Sequence, residues 1–220
     1  MLHNDRVCVP RNAIHRHLTD FLTGIRTIQA ALQNCDSVLD IGCGRSNTIQ
    51  RVIPDGTQTM GIDLHEPSIE QARSNGHHNE YRVLNALDID SEFGKDAFAA
   101  VVSFDLVEHL TKEDSSRLLD KMEIVARDYI VVVTPNGFIP QSEEPDNPYQ
   151  RHHCGWVPEE MVDRGYTVYG IMGLKSLRGA YATLRWKPKF FWYGVSLFTQ
   201  LWVKSRPNSA FHMLAVKHLQ

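Results

Sequence analysis

The sequence predicts an α/β protein built on a doubly wound, mostly parallel sheet, and three observations predict it. Short segments at residues 38–41, 57–62, 80–84, 98–104 and 129–133 read as strands, and the stretches between them read as helices in regular alternation. The run 98–104 is almost continuously apolar, as a parallel strand covered on both faces must be. The first strand ends in Gly42-Cys43-Gly44, where residues without a Cβ permit a sharp turn into a helix. Right-handed crossovers follow from strand twist.

Each element can be justified in turn. Residues 12–32 carry apolar side chains at helical spacing, with Gly24 a break that would divide one helix into two. After the first strand, Ser46 or Asn47 can cap a short helix, which Pro54-Asp55-Gly56 stops. The second strand ends at Asp63, and Pro67 suits the first turn of the helix over 66–74. Thr111 opens a helix whose apolar stripe is Leu118, Leu119, Met122 and Val125. Residues 134–158 form a long loop crowded with Pro, Asn, Asp and Glu, a place where substrate contacts are commonly carried. A helix over 158–164 and strands over 166–171 and 211–216 complete the chain.

Composition bounds the function. The 220 residues suffice for one well-buried domain, and a net charge of −3 gives no global reason to expect nucleic acid as a partner. Cys8, Cys35, Cys43 and Cys154 are scattered without a C-x-x-C pair, and the first residues lack the apolar core of a secretory signal. Reduced thiols and a cytoplasmic location are therefore expected.

The turn after the first strand lacks the third glycine of a dinucleotide fingerprint, because Asn47 stands in its place. Asp40, two residues before Gly42, would repel a phosphate and attract an ammonium or sulfonium group. Asp63 lies 19 residues beyond Gly44, near the interval at which nucleotide sites place a ribose-binding carboxylate. The alternative is that Asp63 caps the following helix.

Residues 39–44 resemble the glycine-rich first motif of the class I S-adenosylmethionine-dependent methyltransferases, and Asp105-Leu106-Val107-Glu108-His109-Leu110 after the fourth strand strengthens the resemblance. It covers residues 37–135 and implies a Rossmann-like, seven-stranded sheet with an antiparallel edge strand. The chain is then one domain, with a helical cover over 1–36, a cofactor-binding core over 37–135 and a substrate side over 136–220. The resemblance assigns the methionine end of S-adenosylmethionine to Asp40, Gly42 and Gly44, the ribose to Asp63, and the adenine to Asn85, Ala86 and Leu87 with Leu64. Phe104 and Asp105 border the methionine part. The family often has an acid where Asn85 stands; an amide oxygen can accept the same bond, and Asp88 is a second candidate.

The reaction expected is in-line methyl transfer to an oxygen or nitrogen of a small molecule such as a sugar, lipid or other metabolite, leaving S-adenosylhomocysteine. Positioning supplies most of the catalysis. An oxygen nucleophile would need a base, for which His152, His153 and Asp105 are candidates; the histidines could equally pin the loop. Asp105, Glu108 and His109 would share one face of a helix and suit a divalent ion, as related spacings do in the ubiquinone-pathway and small-RNA 3′-end methyltransferases, but no metal is assigned. A nicotinamide-dependent oxidoreductase and a non-catalytic cofactor-binding protein are the rival readings.

The last part of the chain is unusual. A basic run of Lys175, Arg178, Arg185, Lys187 and Lys189 precedes the apolar residues 190–203, opening Phe190-Phe191-Trp192-Tyr193 and closing Leu201-Trp202-Val203. At this length the helix is too short to span a bilayer. A helix packed on the sheet, a cap on the substrate pocket, a dimer face and a peripheral membrane contact are its four readings.

Overall fold

The computed structural model describes residues 11–143 and 145–219. Cys8 and the first residues, on which the reading of a missing secretory signal rests, lie outside them. The elements are α1 (Arg11–Leu22), α2 (Ile25–Leu32), β1 (Ser37–Ile41), α3 (Thr48–Val52), β2 (Gln58–Asp63), α4 (Glu66–Asn75), β3 (Glu80–Val83), α5 (Ile89–Phe93), β4 (Phe98–Phe104), α6 (Lys112–Val125), β5 (Ala126–Pro135), α7 (Pro158–Asp163), β6 (Thr167–Leu174), α8 (Lys189–Val203) and β7 (Ala210–His218).

The sheet has the order β3-β2-β1-β4-β5-β7-β6. Its first five strands are parallel, and β7 runs antiparallel to both neighbours. Antiparallel pairing thus occupies one margin, with β6 outermost and β7 threaded between it and β5. Successive residues of a strand point to opposite faces, which divides the core in two. Leu39, Ile41, Ile62 and Val101 pack with Leu118, Leu119 and Met122 of α6. Val38, Ala100 and Val102 pack with Ile28 and Leu32 of α2 and Ile49 of α3 on the other side. Burial on both faces is why the central strands contain so few polar residues.

Gly24 separates α1 from α2 at φ 72, and a Cβ there would lie 2.9 Å from Ile171. Asn47 takes the N-cap position of α3, but the Ser46 hydroxyl accepts the Thr48 amide at 3.1 Å. Two segments differ from expectation. The acidic stretch Ile89–Phe93 is helical although only Ile89 of it is buried, so it offers no stripe to read. Val107–His109 is a single 3-10 turn, not the helix on which a shared face of Asp105, Glu108 and His109 depended.

The helix α8 packs against β6 through Ser196, Gln200 and Val203, while Phe190, Phe191, Phe198, Leu201 and Trp202 face outward. Its polar side turns inward because β6, the edge strand, has backbone groups to satisfy. Gln200 Nε2 donates to the Gly170 carbonyl at 2.9 Å and its Oε1 accepts the Gly173 amide at 3.0 Å. A Cβ at Gly170 would lie 2.2 Å from the Val203 carbonyl oxygen, so only glycine admits the helix this close. Among the described residues no helix is long and apolar enough to cross a membrane.

Candidate functional site

The strand order reverses between β1 and β4, and ligands of open α/β sheets bind beyond the carboxyl ends of the strands at such a point. Here the chain leaves β1 through Gly42 at φ 70 and Gly44 at φ 51. The amides of Gly42 and Cys43 donate to the Ile62 carbonyl at 2.8 and 3.0 Å, and the Gly44 amide donates to Asp63 Oδ2 at 2.9 Å. Asp63 Oδ1 accepts the His65 amide at 2.8 Å. Asp63 therefore fastens the glycine turn and also serves the start of α4, so the two sequence readings of this residue describe one carboxylate. Burial raises its pKa above the ordinary value, against the pull of those two amides.

The two glycines differ in what surrounds them. A Cβ on Gly42 would lie 2.8 Å from Leu106, whereas one on Gly44 would meet nothing nearer than 3.9 Å. The space beside Gly44 belongs to a cavity of about 330 Å³ whose walls include Asp40, Gly42, Ser68, Phe104, Asp105 and Gln150. Asp40 is buried, and its Oδ2 lies 3.0 Å from His78 Nε2. Its Oδ1 is also buried and has no hydrogen-bond partner among the described residues. Gly61 makes the room for this pair, since a Cβ there would come within 2.9 Å of Cys43 Sγ and 3.0 Å of His78.

The expected adenine side lies at the ends of β2 and β3, tied together by the bond from the Leu84 amide to the Asp63 carbonyl at 3.1 Å. Leu64 is exposed there, and Ala86 and Leu87 pack against the core. The Asn85 side-chain Oδ1 accepts the Leu87 amide at 3.0 Å, which occupies one of its two lone pairs and leaves one for a ligand. These residues do not line the cavity beside Gly44.

A second cavity, about 200 Å³, adjoins the first and shares Asp105 and Gln150 with it. Glu108, His109, His152 and His212 line it, together with Tyr181 and Phe211. The long loop is brought here by main-chain bonds: the amides of His153 and Cys154 both donate to the Glu108 carbonyl, at 2.8 and 3.2 Å. Adjacent residues of this extended segment point in opposite directions, so His152 is buried in the cavity and His153 is exposed outside it. Of the two histidines offered as base, only His152 lines this cavity.

His152 Nδ1 donates to the Ile139 carbonyl at 2.7 Å and His109 Nδ1 to the Arg151 carbonyl at 3.1 Å. These bonds set the tautomer, leaving the lone pair on each Nε2. Burial holds both imidazoles below their ordinary pKa, and in His109 the neighbouring His152 adds to the effect. Glu108 is fully enclosed; desolvation first, and then the charge of Asp105, push its pKa well up. The Thr134 hydroxyl donates to Glu108 Oε2 at 2.9 Å. Glu108, His109 and His152 each offer an atom within 4.8 Å of the others, the set among the described residues that could hold a metal ion. His152 replaces Asp105 in the trio read from the sequence.

Sequence reasoning missed His78 and His212. The latter lies on β7 with Nε2 3.3 Å from Asp105 Oδ1, and Asp105 itself has φ 52. Neither histidine belongs to a motif, and each meets its partner across a long sequence separation.

Residues 38–128 match a family described as a methyltransferase domain. A comparison with curated proteins gives no match. Among solved structures, the chain resembles an S-adenosylmethionine-dependent methyltransferase from Archaeoglobus fulgidus at 17% identity and a TM-score of 0.56, over 93% of this chain and 100% of the other. It also resembles the magnesium protoporphyrin IX methyltransferase of Synechocystis PCC 6803 with bound S-adenosylmethionine, at 12% identity, a TM-score of 0.53, and 93% and 80% coverage. A third likeness is to a plantazolicin methyltransferase in complex with S-adenosylhomocysteine, at 17% identity, a TM-score of 0.53, and 95% and 86% coverage. The matched segment contains the glycine turn, Asp63 and the Asp105–Leu110 stretch, and the shared fold extends over nearly the whole chain: this is a chain with the class I S-adenosylmethionine-dependent methyltransferase fold.

Proposed function

We propose that the protein transfers the methyl group of S-adenosylmethionine to an oxygen or nitrogen of a small molecule. The observation that carries this reading is the junction of the two cavities at Asp105 and Gln150, one holding the glycine turn and the other the buried imidazoles. A donor and an acceptor bound on the two sides would meet there.

The residues present fit the cofactor. The side of Gly44 is open, and Asp40 Oδ1 is a buried acceptor with no partner among the described residues, suited to an ammonium or sulfonium group. Asp63 keeps lone pairs beyond its two amide bonds and can accept from a ribose diol. Leu64, Asn85, Ala86 and Leu87 would take the base, and Phe104 with Asp105 the methionine part. The cofactor supplies a methyl group activated on positive sulfur, so the protein's own task is to hold the acceptor in line and to take its proton where it has one. His152 Nε2 carries a lone pair, and the imidazole is neutral at physiological pH; it is the base for a hydroxyl acceptor. A neutral amine needs no base. Asp105, held against His212, stands between the two ligands.

The test is incubation with methyl-labelled S-adenosylmethionine and fractionated small-molecule extract. Label is expected in an acceptor fraction with stoichiometric S-adenosylhomocysteine, and His152→Ala should lower turnover by about 10²- to 10⁴-fold, leaving cofactor affinity intact. His153→Ala should leave turnover near that of the wild type. Cofactor binding without transfer to any fraction would favour a non-catalytic binding protein.

A second reading is favoured by the convergence of Glu108, His109 and His152, whose two Nδ1 atoms are taken up by main-chain carbonyls. A divalent ion there would orient an acceptor oxygen, and the carbonyl bonds on each Nδ1 are the outer-shell support such ligands use. Turnover that is lost on chelation and restored by one divalent metal would select it over the direct base.

A further inference from the structure

The outward face of α8 is the largest feature that the proposed reaction leaves unused. Helical periodicity gathers Phe190, Phe191, Phe198, Leu201 and Trp202 on one side, and their exposures reach 79% for Phe190 and 78% for Phe198. Exposed aromatic groups of this size, contiguous along one helix, signify a contact surface. Basic residues stand at both ends: Arg185, Lys187 and Lys189 at the start, Lys204 and Arg206 at the finish, all exposed. This part of the chain carries no acidic residue of its own: beyond Asp163 the sequence contains no Asp or Glu while it holds nine of the 23 Lys and Arg.

The charge decides what can cover this face. A second copy laid symmetrically on it would set two wholly basic segments against each other, at a like-charge cost. An anionic bilayer surface offers the complement: phosphate groups for the Lys and Arg heads and the acyl boundary for Phe, Leu and Trp, which favour that depth. The 15 residues of α8 span about 22 Å at 1.5 Å per residue, short of the roughly 30 Å hydrocarbon core, so the helix would lie in the interface plane. We propose that the protein docks peripherally on anionic membranes through the Phe190–Trp202 face of α8. Tyr181 and Ala182, in the same acid-free segment, line the cavity that holds His152, so the docking helix and the acceptor side are joined by one short run of chain.

The test uses the full chain and sedimentation with vesicles, comparing phosphatidylcholine alone with phosphatidylcholine containing phosphatidylglycerol. Binding is expected only to the anionic vesicles and should fall steeply with added salt. Phe198→Asp with Leu201→Asp changes two largely exposed side chains, so its melting temperature should stay near that of the wild type while vesicle affinity drops at least about tenfold. Lys187→Glu with Lys189→Glu should reduce anionic binding by a similar factor. Absence of binding to anionic vesicles at low salt would overturn the proposal. So would unchanged binding by the aspartate variant, or a dimer in sedimentation equilibrium that this variant abolishes, which would make the face a contact between copies.

Discussion

Replacing Asp63 tests how one carboxylate can be both a fastener of the turn and a ligand contact. In Asp63→Ala the amides of Gly44 and His65 lose acceptors now at 2.9 and 2.8 Å. An unsatisfied buried amide costs about 1 to 3 kcal/mol, but the crevice admits water and the desolvated charge is removed, so a net stability loss of about 1 to 2 kcal/mol is expected. Affinity for S-adenosylhomocysteine should fall further, by about 1.5 to 3 kcal/mol for the lost charged acceptor, or roughly 10- to 150-fold. Asp63→Asn keeps one acceptor oxygen and removes the charge, and should lose nearly as much affinity with a smaller change in stability. Calorimetric titration gives the first quantity and denaturant unfolding the second. The sign of the pH dependence follows from burial, which raises the folded-state pKa above the unfolded one. Between the two values the folded chain binds more protons, so wild-type stability relative to Asp63→Asn falls as pH rises through that window and is level above it. Ligand affinity moves the other way, weakening as pH drops into the window, and should be flat in the variant. Wild-type affinity in both variants, with stability lowered as calculated, would refute the ribose contact and leave Asp63 a turn fastener.

His78→Ala should cost about 3 to 5 kcal/mol in denaturant unfolding, because it strands the buried Asp40 carboxylate. Pairing it with Asp40→Asn should recover most of that loss. Glu108→Gln should melt higher than the wild type at about pH 8 in the presence of chelator, with the difference vanishing near about pH 4, since the folded state favours the protonated acid and wild-type stability declines as pH rises above the ordinary carboxylate range. A variant that melts lower at about pH 8 would mean that the ionised carboxylate is held by a compensating partner.

The parallel half of the sheet was legible because its signals are local. Val38, Leu39 and Ile41 are apolar since both faces of β1 are covered, and Gly42 and Gly44 follow because the turn takes φ values of 70 and 51 that other residues resist. Asp63 could be found from spacing, since β2 lies beside β1 in register and its end must reach the same turn. The side of the second cavity was less legible. His152 and His153 are equivalent in sequence, and only the anchoring of the loop on the Glu108 carbonyl decides which imidazole turns inward. His78 and His212 meet Asp40 and Asp105 across 38 and 107 positions, and no periodicity relates residues so far apart.

The case of α8 shows where hydropathy misdirects. Its composition calls for burial of the aromatic side, yet the polar side is buried, because the edge strand β6 presents the Gly170 carbonyl and the Gly173 amide to whatever packs on it. An apolar face would leave both unpaired, at a cost that a single glutamine removes by donating to one and accepting from the other. Ser196 adds a bond to the Met172 carbonyl at 3.2 Å and is met in turn by Arg178 at 3.1 Å. Closing this edge against stray strand pairing therefore fixes the rotation of the helix and forces Phe198 and Leu201 outward. The protected edge and the exposed aromatic face are two results of one packing choice. A substitution that releases the first, such as Gln200→Leu, should disturb the second as well, lowering the melting temperature and weakening attachment to anionic vesicles together.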